Sequence, residues 1–230
     1  MWIITSAWTA STRVALPGGT DTFLQNTITD SNTFAGLFYG NTGLTDASGL
    51  LLPATTLAES CYAGMFQNCT ALTNAPALPA TTLAESCYEG MFIGCANLTT
   101  APELPATTLA QSCYYNMFNS CANLTTAPAL PASNLVEYCY EGMFNGCTSL
   151  TTVPELPATD LTVGCYSYMF NGCTSLNAVT CLAEYTTPTD CTDHWLEGVA
   201  ATGTFTKASD MTSWSSGESG IPSGWRIENY

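Results

Sequence analysis

One spacing, 26 residues, constrains this chain more than any other feature. Leu-Pro recurs at Leu52-Pro53, Leu78-Pro79, Leu104-Pro105, Leu130-Pro131 and Leu156-Pro157. Cys-Tyr repeats in step from Cys61-Tyr62 to Cys165-Tyr166, and Met-Phe from Met65-Phe66 to Met169-Phe170. A second cysteine closes each unit at Cys69, Cys95, Cys121, Cys147 and Cys173. Self-similarity at this period belongs to stacked arrays, because one such unit cannot bury its own apolar face. Neighbouring coils must cover it, about 4.8 Å apart along the strand-pairing direction.

The pattern continues in degraded form at both ends. One period further on lie Leu182, Cys191 and Trp195-Leu196, the last pair in place of Met-Phe. A step of 28 back from the first unit lands on Phe34, Leu37-Phe38 and Asn41, with two extra residues in 48–52. Five full coils with a degenerate coil at each end therefore fill 33–199. Residues 1–32 are read as an N-terminal cap segment and 200–230 as a C-terminal β cap, since the end coils of a stack must be closed against water.

Within a unit, Leu83, Cys87, Tyr88, Met91, Phe92 and Cys95 form one apolar stripe at helical spacing. Gly64, Gly90 and Gly142 weaken a helix, so the spacing predicts a short helix or 3₁₀ turns. A Thr-rich extended stretch follows. Pro76, Pro102, Pro128 and Pro154 each remove a ladder donor from it, so the strands there must be very short.

The formal charge is −15, with Arg13, Lys207 and Arg226 the only lysine or arginine side chains. Such a surface repels phosphate backbones and anionic lipid, which argues against nucleic-acid and membrane-surface partners. An apolar share of 46% is enough for a core, so the acidity is not read as disorder. No apolar run approaches the roughly 18 residues of a membrane span, and no membrane insertion is expected. The opening Met-Trp-Ile-Ile-Thr-Ser-Ala-Trp lacks the basic region of a secretory signal. Between Arg13 and Lys207 a trypsin-like protease finds no cleavage site, which fits either plain acidic composition or a protease-rich fluid.

The run Met-Phe-Asn-Gly-Cys-Thr-Ser-Leu-Thr-Thr-Val-Pro-Glu-Leu-Pro at 143–157 resembles the repeat of BspA-like leucine-rich repeat proteins. Those occur on gut Bacteroides-type bacteria, in related surface proteins and in their phages. Residues 200–207, with Gly-Ile-Pro-Ser-Gly-Trp at 220–225, resemble the C-terminal cap that follows such repeats. The resemblance covers roughly 33–230. It implies a mixed α/β solenoid of the leucine-rich-repeat type, with a short strand and a short helix or 3₁₀ turn per coil. It also implies adhesion or recognition as the usual role, outside the cell, at a cell surface or on a virion.

Twelve cysteines fall into a column of six (Cys61 to Cys191), a column of five (Cys69 to Cys173) and the single Cys181. Cysteines eight apart on a helical segment are separated by roughly 12 Å, beyond the reach of a disulfide. Bridges between coils would bond only alternate pairs and pinch an even stack. The resemblance implies instead a structural ladder of Asn41, Cys69, Cys95, Cys121, Cys147 and Cys173, each bonding a neighbouring coil's backbone. Buried thiols are the reading preferred here, with inter-coil disulfides the alternative. No Cys-x-x-Cys is present, and neither metal nor cofactor is expected.

No phosphate-cradling glycine loop, nucleophile elbow or zinc-protease motif occurs, and His194 is the one histidine. The chain is therefore read as no enzyme. The best catalytic alternative is a polysaccharide hydrolase using Glu103 and Glu155, two coils apart and roughly 10 Å from each other. A solvated acidic face explains these carboxylates equally well.

Binding residues are sought where the copies disagree. The position after Cys-Tyr reads Ala63, Glu89, Tyr115, Glu141, Ser167; the next reads Gly64, Gly90, Asn116, Gly142, Tyr168. The position before the first cysteine reads Ser60, Ser86, Ser112, Tyr138, Gly164. Tyr115, Tyr138, Tyr168 and Asn116 are thus the candidate ligand-binding residues, suited to sugar stacking or a protein hot spot. The expected partner is a surface protein or glycan, engaged by a phage tail fibre, another virion protein or a secreted adhesin. Self-association as a homo-oligomer is left open.

Overall fold

The computed structural model describes residues 26–212 and 214–230. Most of the cap segment expected over 1–32 lies outside the described residues. The 26-residue units stack as coils, and their backbones are tied together one after another. Tyr62 N–H donates to the Cys87 carbonyl at 3.0 Å, Tyr88 to Cys113 at 3.0 Å, Tyr114 to Cys139 at 3.1 Å and Tyr140 to Cys165 at 3.1 Å.

The segment from the first cysteine to the second is no helix, and no helix occurs among the described residues. Its amides alternate between two kinds of partner. Tyr62, Gly64, Phe66 and Asn68 donate to Cys87, Glu89, Met91 and Ile93 of the following coil, at 2.7–3.0 Å. Ala63, Met65, Gln67 and Cys69 donate back three residues, to Ser60, Tyr62, Gly64 and Phe66. An α-helix would place every amide on the carbonyl four residues back and leave none for a neighbour. Every fourth residue here adopts a left-handed backbone instead: φ is 51° at Ser60, 58° at Gly64 and 60° at Asn68, and the series recurs in each coil. The segment is a run of linked turns with a period of four. Two adjacent positions in every four point inward: Cys61 and Tyr62, then Met65 and Phe66, all buried. The expectation of a short helix or 3₁₀ turn per coil is corrected accordingly. Inter-coil bonding takes half of the donors that a helix needs.

On the other side of each coil the strands shrink to single bridges. Asn74 pairs with Thr100, Thr100 with Thr126 and Thr126 with Thr152, all parallel. Thr56, Thr82 and Thr108 form a second column of this kind. Among the described residues a true ladder appears only where the proline column ends, as Thr180 stands one period after Pro154. There β1 (Ala178–Cys181) pairs in parallel with β2 (Gly203–Lys207), which pairs with β3 (Trp225–Asn229). Restoring the backbone donor that proline lacks accompanies the restored sheet.

Stacked rings fill the interior between the two faces. Phe38, Phe66, Phe92, Phe118, Phe144 and Phe170 form one column, with centroids 5.2–5.7 Å apart and planes within 10°. Phe34, Tyr62, Tyr88, Tyr114, Tyr140 and Tyr166 form another at 5.6–6.1 Å. These separations exceed a ~4.8 Å coil spacing, so the rings are offset, the arrangement that aromatic quadrupoles favour. Trp195 lies in sequence register with the methionines, yet its ring continues the tyrosine column, 6.2 Å from Tyr166. Trp214 stacks on Trp195 at 5.4 Å, and Phe205 packs edge-on against both. The Trp195 indole N–H reaches the Gly220 carbonyl at 2.9 Å, tying residues 200–230 to the last coil.

The left-handed positions carry a packing rule. At three of them a side chain lies across a glycine at the same position of the next coil: Asn68 over Gly94, Asn116 over Gly142, Tyr138 over Gly164. Replacing Gly142 by Ala should cost about 1–3 kcal/mol, from left-handed strain plus collision of the new Cβ with the Asn116 side chain. Adding Asn116→Gly should relieve the collision but not the strain, a favourable coupling of at least roughly 0.5 kcal/mol by denaturant unfolding. Strictly additive losses would show that the two positions do not touch.

Candidate recognition face

The outer side of the linked turns gathers the variable residues. Tyr115 is half-buried, and burial, followed by the Glu141 and Glu89 carboxylates, holds its phenol above the usual value. Those two glutamates occupy the same position one coil before and one coil after, so the ring sits among negative charges. Asn116, with φ 52°, accepts a hydrogen bond from Asn119 Nδ2 at 3.1 Å. Tyr168, also at φ 52°, is 36% exposed and stacks on His194 at 5.2 Å. Partial desolvation, followed by Asp193, Glu197 and Glu141, raises the Tyr168 phenol. Tyr115, Asn116 and Tyr168 thus share one region, with Glu141 acting on both rings. Tyr138, at φ 57°, belongs to the column four residues earlier, where its ring covers Gly164.

His194 sits among carboxylates at this end of the face. Its Nδ1 lies 3.0 Å from Glu197 and 3.8 Å from Glu218, and Nε2 lies 3.7 Å from Asp193. Desolvation opposes its protonated form, but the Glu197 hydrogen bond and the three carboxylates outweigh that and raise its pKa. The cluster bridges the last coil to 218–219, where Ser219 Oγ donates to Asp193 at 2.9 Å.

Toward the other end of the stack the same face opens into a groove of about 250 Å³. Gly36, Gly64 and Gly90 form its floor, all left-handed at φ 62°, 58° and 56°. Ala63, Glu89 and Tyr115, each one position before that column, and Tyr39, Gln67 and Ile93, each three positions after it, complete the lining. Asn68 Nδ2 lies 3.4 Å from the Tyr39 hydroxyl and steadies that ring, which is 59% exposed. Of the groove residues, comparison of the repeat copies singles out Tyr115 alone. The available signal was the run of three glycines in a column that elsewhere holds Asn116, Tyr168 and His194.

The cysteines point away from this face, and all twelve are free and buried. In the second column each Sγ donates to the phenylalanine carbonyl of the preceding coil. Cys69 meets Phe38 at 3.0 Å, Cys95 meets Phe66 at 3.1 Å, Cys121 meets Phe92 at 3.2 Å, and Cys147 and Cys173 meet Phe118 and Phe144 at 3.1 Å. Asn41, in the same register, does something different: its Oδ1 accepts the Gly43 N–H at 3.0 Å and closes its own turn. Burial pushes the thiols up, to about 11 for Cys61 and about 12 for Cys87, Cys95 and Cys173. Among the described residues no group of three His, Cys, Asp or Glu is placed to hold a metal ion.

The two glutamates weighed as catalytic groups, Glu103 and Glu155, are both exposed. The Tyr230 hydroxyl donates to Glu155, which raises the tyrosine's pKa.

Coils tied by alternate backbone amides around leucine, aromatic and cysteine columns define a leucine-rich-repeat solenoid. The chain belongs to the BspA type Leucine rich repeat region family, which matches residues 59–191 in 6 copies. Comparison with curated proteins and with solved structures gave no match. Repeats of this family are generally non-enzymatic and are consistent with a surface recognition or adhesion module. No helix among the described residues is long and apolar enough to cross a membrane.

The raised thiol pKa values set the reactivity of the cysteine columns. At pH 8 the native protein should show no fast reaction with Ellman's reagent, since thiolate is the reactive species and these thiols stay protonated. Unfolding in guanidinium without reductant should then release twelve reactive thiols. A count far below that would mean bridges between coils.

Proposed function

We propose that this chain is a recognition and adhesion module acting outside the cell that makes it, on a cell surface or a virion. It holds a surface protein or glycan against the turn face that carries Tyr115, Asn116, Tyr138 and Tyr168. The observation behind this reading is a contrast between columns. Inward positions keep Cys, Tyr, Met and Phe in coil after coil, whereas the outward positions beside them change and acquire tyrosines. Core packing dictates the first set and leaves the second free. Half-buried tyrosines on a rigid scaffold give large contact area at little entropic cost, with a hydroxyl to satisfy a partner. Residues 1–32 and 200–230 serve as the end caps in this reading, and the Trp214 stack on Trp195 supports the second of them.

Screening the full chain on a glycan array and on host and bacterial cells should reveal saturable capture. Tyr115→Ala combined with Tyr138→Gly and Tyr168→Gly should abolish it with little change in melting temperature. Glycine is chosen at 138 and 168 because both positions are left-handed and their columns already hold Gly164 and Gly142. Capture that survives the triple variant would reject this face as the binding surface.

A further inference from the structure

The groove over Gly36, Gly64 and Gly90 has a chemistry narrower than that of the face around it. Left-handed backbone alone does not demand glycine at these positions. Asn116, Tyr168 and His194 hold the same column at φ 52°, 52° and 47°. A side chain in this column lies across the next coil's position, as Asn116 lies across Gly142. Three successive glycines therefore leave a channel open over about 10 Å, two coil spacings. Its volume, about 250 Å³, lies below the ~300 Å³ at which drug-sized sites begin, so it takes one small group.

The walls say which group. Tyr39 and Tyr115 supply aromatic rings toward the two ends, three coils apart, Ile93 supplies apolar surface and Glu89, one coil from Tyr115, a carboxylate. Among the described residues no Lys, Arg or His lines the groove. Burial first, then the Glu141 and Glu89 carboxylates, raise the Tyr115 phenol. An anionic ligand would meet Glu89 with nothing to neutralise it. A neutral sugar would use the rings but not the charge. A cation carried on methylene or methyl groups uses both, because aromatic faces and a carboxylate attract it while its carbon atoms cover the glycine floor and Ile93.

We propose that this groove binds an organic ammonium group, supplied either by a lysine side chain of a protein partner or by a quaternary ammonium headgroup. The inference rests on the recognition reading above and gives that face a preferred ligand chemistry.

Titration of the full chain by NMR or calorimetry, with Nα-acetyl-lysine amide and with choline as separate probes, tests it. At least one should saturate a single site at roughly millimolar concentration, as expected of so small a ligand. Whichever probe binds more tightly identifies the source of the ammonium. Glu89→Gln, which alters no shape, and Tyr115→Ala should each weaken binding by roughly tenfold. Gly64→Asn should abolish it. That side chain suits a left-handed residue and would lie across Gly90, as Asn116 does across Gly142, and its Cβ would meet only the Gln67 side chain, with Oε1 at 3.1 Å. Should Gly64→Asn fail to fold, Glu89→Gln carries the test.

Saturation by neither probe would overturn the proposal, as would binding unchanged by Gly64→Asn or Glu89→Gln, or methyl glucoside binding as tightly. If both probes fail while cell or glycan capture still depends on the tyrosines, only the ammonium assignment falls. If capture is absent too, the recognition reading falls with it.

Discussion

Sharing of backbone amides between two directions governs this molecule. Along each turn segment every second N–H closes a local turn and the one between reaches the next coil. Neither set alone would hold the chain. The local turns fix direction within a coil but make no contact between coils. The inter-coil bonds fix spacing but need a backbone already shaped to present them. From the first coil to the last but one, the amides of the turn segment thereby find partners without helix or sheet, as burial requires.

Several features follow from that sharing. The left-handed residue in every four turns the chain so that the next pair of side chains faces inward again. The rings of successive coils then overlap at 5.2–6.2 Å and are shielded by one another. Each stacked aromatic pair adds about 0.5–1.5 kcal/mol beyond the area it buries. The cysteine of the second column fits the same scheme, since its small sulfur fills the core and its S–H reaches the Phe carbonyl of the preceding coil. The outer surface is left with side chains that packing does not specify. Repeat stability is approximately a sum over nearest neighbours, so one coil can change its outer residues without unsettling distant ones.

The stack was fully legible in the sequence, because 26-residue spacing and invariant apolar columns admit no other architecture. The helix was a misreading with a traceable cause. Leu83, Cys87, Met91 and Cys95 recur at steps of four, and an α-helix drifts by about 40° for every four residues. From Leu83 to Cys95 the accumulated drift is about 120°, so a stripe held that long belongs to a period of four. Glycine, serine and asparagine at Gly90, Ser86 and Asn68 marked the left-handed positions, but the glycines read as helix weakeners and the other two drew no structural reading. The sheet was foreseen more accurately, since proline's missing donor is a local property. Of the candidate site, Tyr115 and Asn116 stood out as departures from the repeat. Tyr39, Gln67 and Ile93 did not, because a groove is made by side chains that are absent from Gly36, Gly64 and Gly90.

Scalar couplings across hydrogen bonds test the backbone arrangement most directly. In a labelled sample the amide nitrogen of Tyr114 should couple to the carbonyl carbon of Cys139, and that of Phe118 to Met143, while Met117 couples to Tyr114. Coupling of Tyr114 to Ala110, four residues back, would mean a helix with no bonds to the next coil and would contradict the account.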